Sequence, residues 1–96
     1  MVWFAVMEFE YDPAKSASNK DKHGIDFEEA KALWKDDYLF EIEARSGEEN
    51  RFFAIGRIGG VSWTAVCTIR NGRLRMISVR RSRTTEVKAY ETNISD

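Results

Sequence analysis

The sequence predicts one α+β domain, an antiparallel four-stranded meander with two short amino-terminal helices on one face and a carboxy-terminal helix. Three observations predict it. Gly59-Gly60 and Asn71-Gly72 separate three alternating segments, and such dipeptides close two-residue hairpins because both central residues of a type I′ turn take positive φ. Asp12-Pro13 with Gly24, and Asp26 with Glu29, are helix start and stop signals. The chain has 96 residues, 43% hydrophobic and 32% charged, enough for one core and not for two.

The elements follow in order. A short strand over 6–11 ends at Asp12-Pro13, where aspartate suits the N-cap and proline the first helical position, and the helix that follows runs to His23 before Gly24 at C′. Asp26 and Glu29 form a capping-box pattern, and Phe27, Ala30, Leu33 and Trp34 recur at helical spacing, which predicts a second helix over 26–35. From Tyr38 the period becomes two, giving a strand with Phe40 and Ile42 on one side and a polar loop over 46–50. Strands over 51–58, 61–70 and 73–81 complete the meander, and a last helix over 84–92 leaves 92–96 as a frayed tail. Residues 1–96 form one domain, with 1–6 as an extension ahead of the pattern.

Two-residue turns also set a register. With Ile58 opposite Val61 and Arg70 opposite Arg73, Ala65 faces Ala54 and Ser78, and Cys67 faces Phe52 and Met76. Phe52, Ala54, Trp63, Ala65, Cys67, Leu74 and Met76 then share a core face that the helices cover. The opposite face collects Arg51, Arg57, Arg70, Arg73, Arg75 and Arg81 around an apolar centre of Phe53, Ile55, Val66, Ile77 and Val79, which calls for a cover. This register puts Arg80 on the core side and Arg51 on the other.

Composition excludes several classes. One cysteine allows no internal disulfide, and Cys67 within a strand reads as a buried, inert thiol. The opening apolar run is followed by Glu8, Glu10 and Asp12, so it is neither a signal peptide nor a membrane span, and the expected location is the cytoplasm. One cysteine and one histidine make no zinc site, the glycines fit no phosphate loop, and no serine stands on a nucleophile elbow. No metal and no cofactor is expected.

Charge is divided along the chain. Residues 1–50 carry 13 acidic and 6 basic side chains, and residues 51–96 carry 3 and 9, a split that marks either an anion-binding surface or two halves that attract each other. The carboxy-terminal cations are arginines except for Lys88: Arg51, Arg57, Arg70, Arg73, Arg75, Arg80, Arg81 and Arg83. Guanidinium grips phosphate bidentately and stabilises the charge that builds on a phosphodiester, although a solvated sheet face is the commoner role of a surface arginine. His23 is the single imidazole, the side chain that ordinarily changes charge near neutrality, although at a helix end the commoner role is to pack or to hydrogen-bond a terminal carbonyl.

These residues carry a resemblance. Phe9-Glu10-Tyr11-Asp12-Pro13-Ala14-Lys15 with Asn19, Lys22-His23-Gly24-Ile25 with Phe27-Glu28-Glu29-Ala30, Glu49-Asn50-Arg51 with Ala54-Ile55-Gly56, and Arg75-Met76-Ile77-Ser78-Val79-Arg80-Arg81 with Glu86, Tyr90 and Glu91 resemble, in order, the BrnT family of bacterial ribonuclease toxins. The resemblance implies a fold similar to RelE-type toxins, metal-independent RNA cleavage through the 2′-hydroxyl, inhibition of growth, and neutralisation by a BrnA-like ribbon-helix-helix antitoxin whose complex with the toxin contacts operator DNA. It selects Arg80, Arg51, His23, Lys22, Glu86 and Tyr90 as catalytic candidates, with Arg57, Arg70, Arg73, Arg75, Arg81 and Arg83 left to bind RNA. Ser82 and Val87 depart from the family, which usually has alanine and often a basic residue there. The alternative is a catalytically inactive relative that binds its antitoxin as a co-repressor.

Overall fold

The computed structural model describes residues 8–46 and 49–95, with only the backbone of Arg45, Ser46, Glu49 and Ser95. The expected strand over 6–11 therefore begins partly outside the described residues, as does the extension over 1–6.

The sheet is five-stranded and mixed, not a four-stranded antiparallel meander. Strands β2 (Phe40–Ser46), β3 (Glu49–Ile58), β4 (Val61–Arg70) and β5 (Arg73–Arg81) form the antiparallel part, and β1 (Phe9–Glu10) adds a fifth strand parallel to β5. The short strand itself was expected, but its parallel partner lies beyond the rest of the sheet in the chain, so its place in the sheet was not. Glu8 C=O accepts from the Leu74 amide at 2.9 Å, and Arg73 and Arg75 pair with Glu8 and Glu10 across this edge. Part of the charge split is thus attraction between the two halves. Strands β2 and β3 also extend into the expected polar loop over 46–50.

Both hairpins close as the dipeptides require, with positive φ at Gly59, Gly60, Asn71 and Gly72. The β3–β4 register is as expected, with Ala54 opposite Ala65 and Phe52 opposite Cys67. The β4–β5 register changes midway. Cys67 faces Met76, but Val66 faces Ser78 and Ala65 faces Val79, so Ile77 is an extra residue in β5. This bulge reverses the alternation beyond it. Val79 and Arg81 join the core-face side, while Ser78 and Arg80 move to the face of Arg51, correcting the sequence assignment of all four.

Helix α1 (Pro13–His23) has Asp12 as N-cap, accepting from the Ala14 amide, and Gly24 in the left-handed region at its end. It has no large apolar stripe: its buried residues are Ser16 and Asn19. Ser16 Oγ accepts from the Phe27 amide at 2.9 Å. Asn19 mimics a strand neighbour along the β5 segment past β1, accepting from the Val79 amide at 3.1 Å while its Nδ2 donates to the Val79 and Ile25 carbonyls at 2.8 Å. Helix α2 (Phe27–Ala30) has the expected capping box but tightens into a 3₁₀ turn over Lys31–Lys35, so the second helix is not one α-helix over 26–35. The core lies between these elements and the sheet, where Phe27, Ala30 and Leu33 meet Ala54, Ala65, Cys67, Leu74, Met76 and Val79. Burial pushes the Cys67 thiol well up, leaving it inert.

Helix α3 (Thr84–Ser95) continues through the segment expected to fray and packs on β3 and β2 from the opposite face. Ile55, on that face of β3, is fully buried, so the apolar patch is covered in part. Phe53, Val66 and Ile77 stay half-buried.

Candidate functional site: an arginine braced by a glutamate on the sheet face

The bulge decides what the α3 face offers. Across the sheet, Ala44, Arg51, Thr68 and Arg75 make one row, Ile42, Phe53, Val66 and Ser78 the next, and Phe40, Ile55, Thr64 and Arg80 a third. Arg51 and Arg80 therefore share a face, two strands and four residues apart, or roughly 16 Å between Cα atoms from strand spacing and rise. Such a gap suits two neighbouring groups on one ligand better than a joint grip on one phosphate.

Arg80 is held at two points. Its Nη1 and Nη2 each donate to one oxygen of Glu86 at 2.8 Å, an end-on fork in which both side chains are largely buried. Glu86 is the third residue of α3, and its Oε1 also accepts from the Arg83 amide at 2.7 Å, satisfying an amide at the helix start. Behind it stands a file of hydroxyls. Ser62 Oγ donates to Ser82 Oγ at 2.9 Å, Ser82 and Thr64 share a bond of 2.8 Å, and Thr64 Oγ1 donates to Glu86 Oε1 at 3.0 Å. Since the Thr64 proton goes to the carboxylate, Ser82 is the donor to Thr64, and all three hydroxyls point toward Glu86. The hydrogen bonds from Arg80 foremost hold the Glu86 carboxyl down to about 2 against the push of burial. Reciprocally, the Arg80 guanidinium is raised.

Glu86 occupies only one edge of that guanidinium. Among the described residues Arg80 has one further bond, Nη1 to the Arg81 carbonyl at 3.4 Å, so Nε–H and the second Nη2–H, which together form the side fork, have no partner. The guanidinium carbon stands 5.6 Å from the centre of the Phe53 ring.

Lys22 and His23 are exposed in the last turn of α1. They line a recess with Lys15, Asn19, Ile77 and Ser78. Ser78 is two residues from Arg80 on the same face, so these side chains flank the β5 edge of the arginine face, and none of Lys15, Lys22 and His23 has an ion pair among the described residues. Tyr90 stands elsewhere. Its hydroxyl donates to Asp36 Oδ2 at 2.7 Å and its ring lies under Arg57, 4.9 Å from the guanidinium carbon. Burial, and then the bond to Asp36, push the phenol up to about 12. Asp36 is itself held down despite burial, because Tyr90 and the Tyr38 and Arg57 amides donate to it.

The other arginines are dispersed. Arg73 and Arg75 are paired with Glu8 and Glu10, Arg57 with Glu91, and Arg81 lies over Trp63 at the core-face end of β5. Arg70 flanks the Asn71-Gly72 turn, and Arg83 is exposed ahead of α3. Sequence reasoning missed Asn19, Thr64 and Ser82 as parts of the site's frame. Asn19 stands in the family-like motif and Ser82 at a departure from it, while Thr64 meets Arg80 only through the register set by the bulge, of which Ile77 carries no mark. Among the described residues no group of three or more His, Cys, Asp and Glu is arranged to hold a metal ion, and no helix is long and apolar enough to cross a membrane.

A small mixed sheet with helices on both faces, one of which carries Arg80 braced by the Glu86 carboxylate, defines an α+β protein with a charged sheet face. The chain belongs to the family of BrnT ribonuclease toxins of type II toxin–antitoxin systems, whose family model matches residues 11–86 and so spans Lys22, His23, Arg51, Arg80 and Glu86. That membership makes RNA the substrate class and gives the protein an antitoxin partner. No curated protein matches the chain.

Proposed function

We propose that the protein is a metal-independent endoribonuclease toxin whose sheet face cleaves RNA through the 2′-hydroxyl, and that a BrnA-like ribbon-helix-helix antitoxin neutralises it, the complex reaching operator DNA through the antitoxin. The observation that carries this reading is Arg80, clamped end-on by Glu86 with its side fork unoccupied. A planar guanidinium held in place with two parallel N–H groups to spare suits the non-bridging oxygens of a phosphodiester, whose charge grows in the transition state.

The roles then separate. Glu86, held near 2, is a poor proton carrier at neutral pH and acts by positioning Arg80. The Tyr90 hydroxyl is committed to Asp36, so its part is to anchor α3. His23 and Lys22 are left for proton transfer. The 2′-oxygen attacks phosphorus while one of these two groups takes its proton, the 5′-oxygen leaves with a proton supplied by the other, and the products are a 2′,3′-cyclic phosphate and a 5′-hydroxyl. Arg51 holds a neighbouring phosphate. Arg57, Arg70, Arg73, Arg75, Arg81 and Arg83 contribute a general positive field rather than specific grips.

The test is cleavage of RNA by purified Arg80→Lys, Arg80→Ala and Arg73→Lys, each checked for unchanged folding. Losing transition-state stabilisation of about 3 kcal/mol would slow the first two roughly a hundredfold, while the exposed Arg73 tolerates lysine. An Arg80→Lys protein that cleaves like the wild type removes the catalytic role from Arg80. A wild type that binds its antitoxin but leaves RNA intact is the inactive co-repressor.

A further inference from the structure

We propose that Phe53 is a base-stacking residue, and that the row Ile42, Phe53, Val66 and Ser78 receives one unpaired RNA base beside the phosphate gripped by Arg80. This inference rests on the ribonuclease reading and narrows it to single-stranded RNA.

The row runs across four strands on the α3 face, and its members are half-buried, whereas Ile55 and Thr64 in the next row are fully buried where α3 and Glu86 meet the sheet. The stripe is bordered on one side by Arg51 and Arg75 and on the other by Arg80, and it ends at the β5 edge beside Lys15, Lys22 and His23. Glu10 and Glu86, carboxylates on its two borders, are each bound to an arginine, so neither opposes an anion as a bare charge.

An apolar strip framed by cations matches a ligand with an aromatic face and a charged backbone. Single-stranded nucleic acid has both, because every base offers a π-face and every linkage a phosphate. A duplex hides its faces in the stack, and the narrow major groove of A-form RNA denies side chains its base edges. The Arg80 guanidinium lies over the Phe53 ring, 5.6 Å from its centre and within cation–π range, so a base stacked on Phe53 would sit directly beside the group that grips the phosphate. Phe53 is roughly 10 Å from Ser78, two strand spacings away, which places a stacked base and the Lys22–His23 recess at opposite ends of one short stripe.

The experiment uses the full-length protein and a single-stranded 2′-O-methyl oligoribonucleotide carrying 2-aminopurine, which binds without being cut, alongside cleavage of the corresponding RNA as single strand and as duplex. The wild type is expected to quench the probe and to cleave the single strand alone. Phe53→Leu, with unfolding unchanged, should lose the quenching and raise KM about tenfold, within the range measured for one stacked base. Phe53→Trp should restore both, which a merely structural role at this position would not do. Quenching and KM unchanged in Phe53→Leu overturn the assignment while leaving the ribonuclease reading intact. So does a Phe53→Leu protein that cleaves normally but no longer binds the antitoxin, since the stripe would then be a protein-docking face. A wild type that cleaves no RNA overturns both readings.

Discussion

Glu86→Gln removes one charge and nearly no volume, and its effect on folding can be worked from the geometry. The folded carboxyl is held at about 2 against an ordinary value of 4.5, a difference of about 2.5 units or roughly 3 kcal/mol of stability at neutral pH. Burial of the pair keeps solvent screening small, and removing one partner of a buried ion pair costs on the order of 3–5 kcal/mol, so the two routes agree in scale. The sign follows from the depressed value. Stability from Glu86 is complete above about 4.5 and is lost as pH falls through that value toward about 2, so at pH 3 only about 1.4 kcal/mol of it remains. Urea unfolding of wild type and Glu86→Gln, followed by tryptophan fluorescence at pH 7 and pH 3, should show a gap of about 3 kcal/mol that shrinks by about half. A gap below about 1 kcal/mol at pH 7, or one that does not change with pH, would refute the argument that Arg80 and the hydroxyl file hold this carboxylate ionised.

Asn19→Ala removes three hydrogen bonds from a buried side chain and should cost about 2–4 kcal/mol, with the Val79 amide losing protection from hydrogen exchange; intact protection would show that α1 does not hold the bulge. Tyr90→Phe should cost about 1–2 kcal/mol by leaving Asp36 short of a donor while RNA cleavage persists, and a large loss of cleavage with normal folding would return Tyr90 to the chemistry. Because the folded phenol is raised to about 12, that stability difference should be level below pH 10 and shrink as pH climbs from 10 toward 12, as measured by unfolding across the alkaline range. Gly56→Ala would put a methyl 3.1 Å from Leu33 Cδ2, 3.2 Å from Leu39 Cδ1 and 3.3 Å from Asp36 Oδ2, for an expected loss of about 1–2 kcal/mol; an unchanged urea midpoint would show that this corner yields freely.

The sequence by itself determined whatever is written in neighbouring residues. Both hairpins, the caps at Asp12, Gly24 and Asp26, the buried Cys67 and the β3–β4 register follow from local backbone preference and from alternation, and each was legible. The toxin family was legible too, from motifs spread over most of the chain. Tertiary structure decided three other matters. Strand β1 takes its place because a two-residue segment finds the edge of β5, sixty-odd residues away in the chain. Helix α1 docks through Ser16 and Asn19, and hydrogen bonds between distant groups have no periodicity to read. Most of all, the bulge at Ile77 set the face of Arg80, since one unpaired residue reverses every side chain beyond it and nothing in Met76-Ile77-Ser78 marks the insertion. What places Arg80 with Arg51, Phe53 and Glu86 is a register that exists only once Asn19 has bound the Val79 backbone and β4 has paired on its other side.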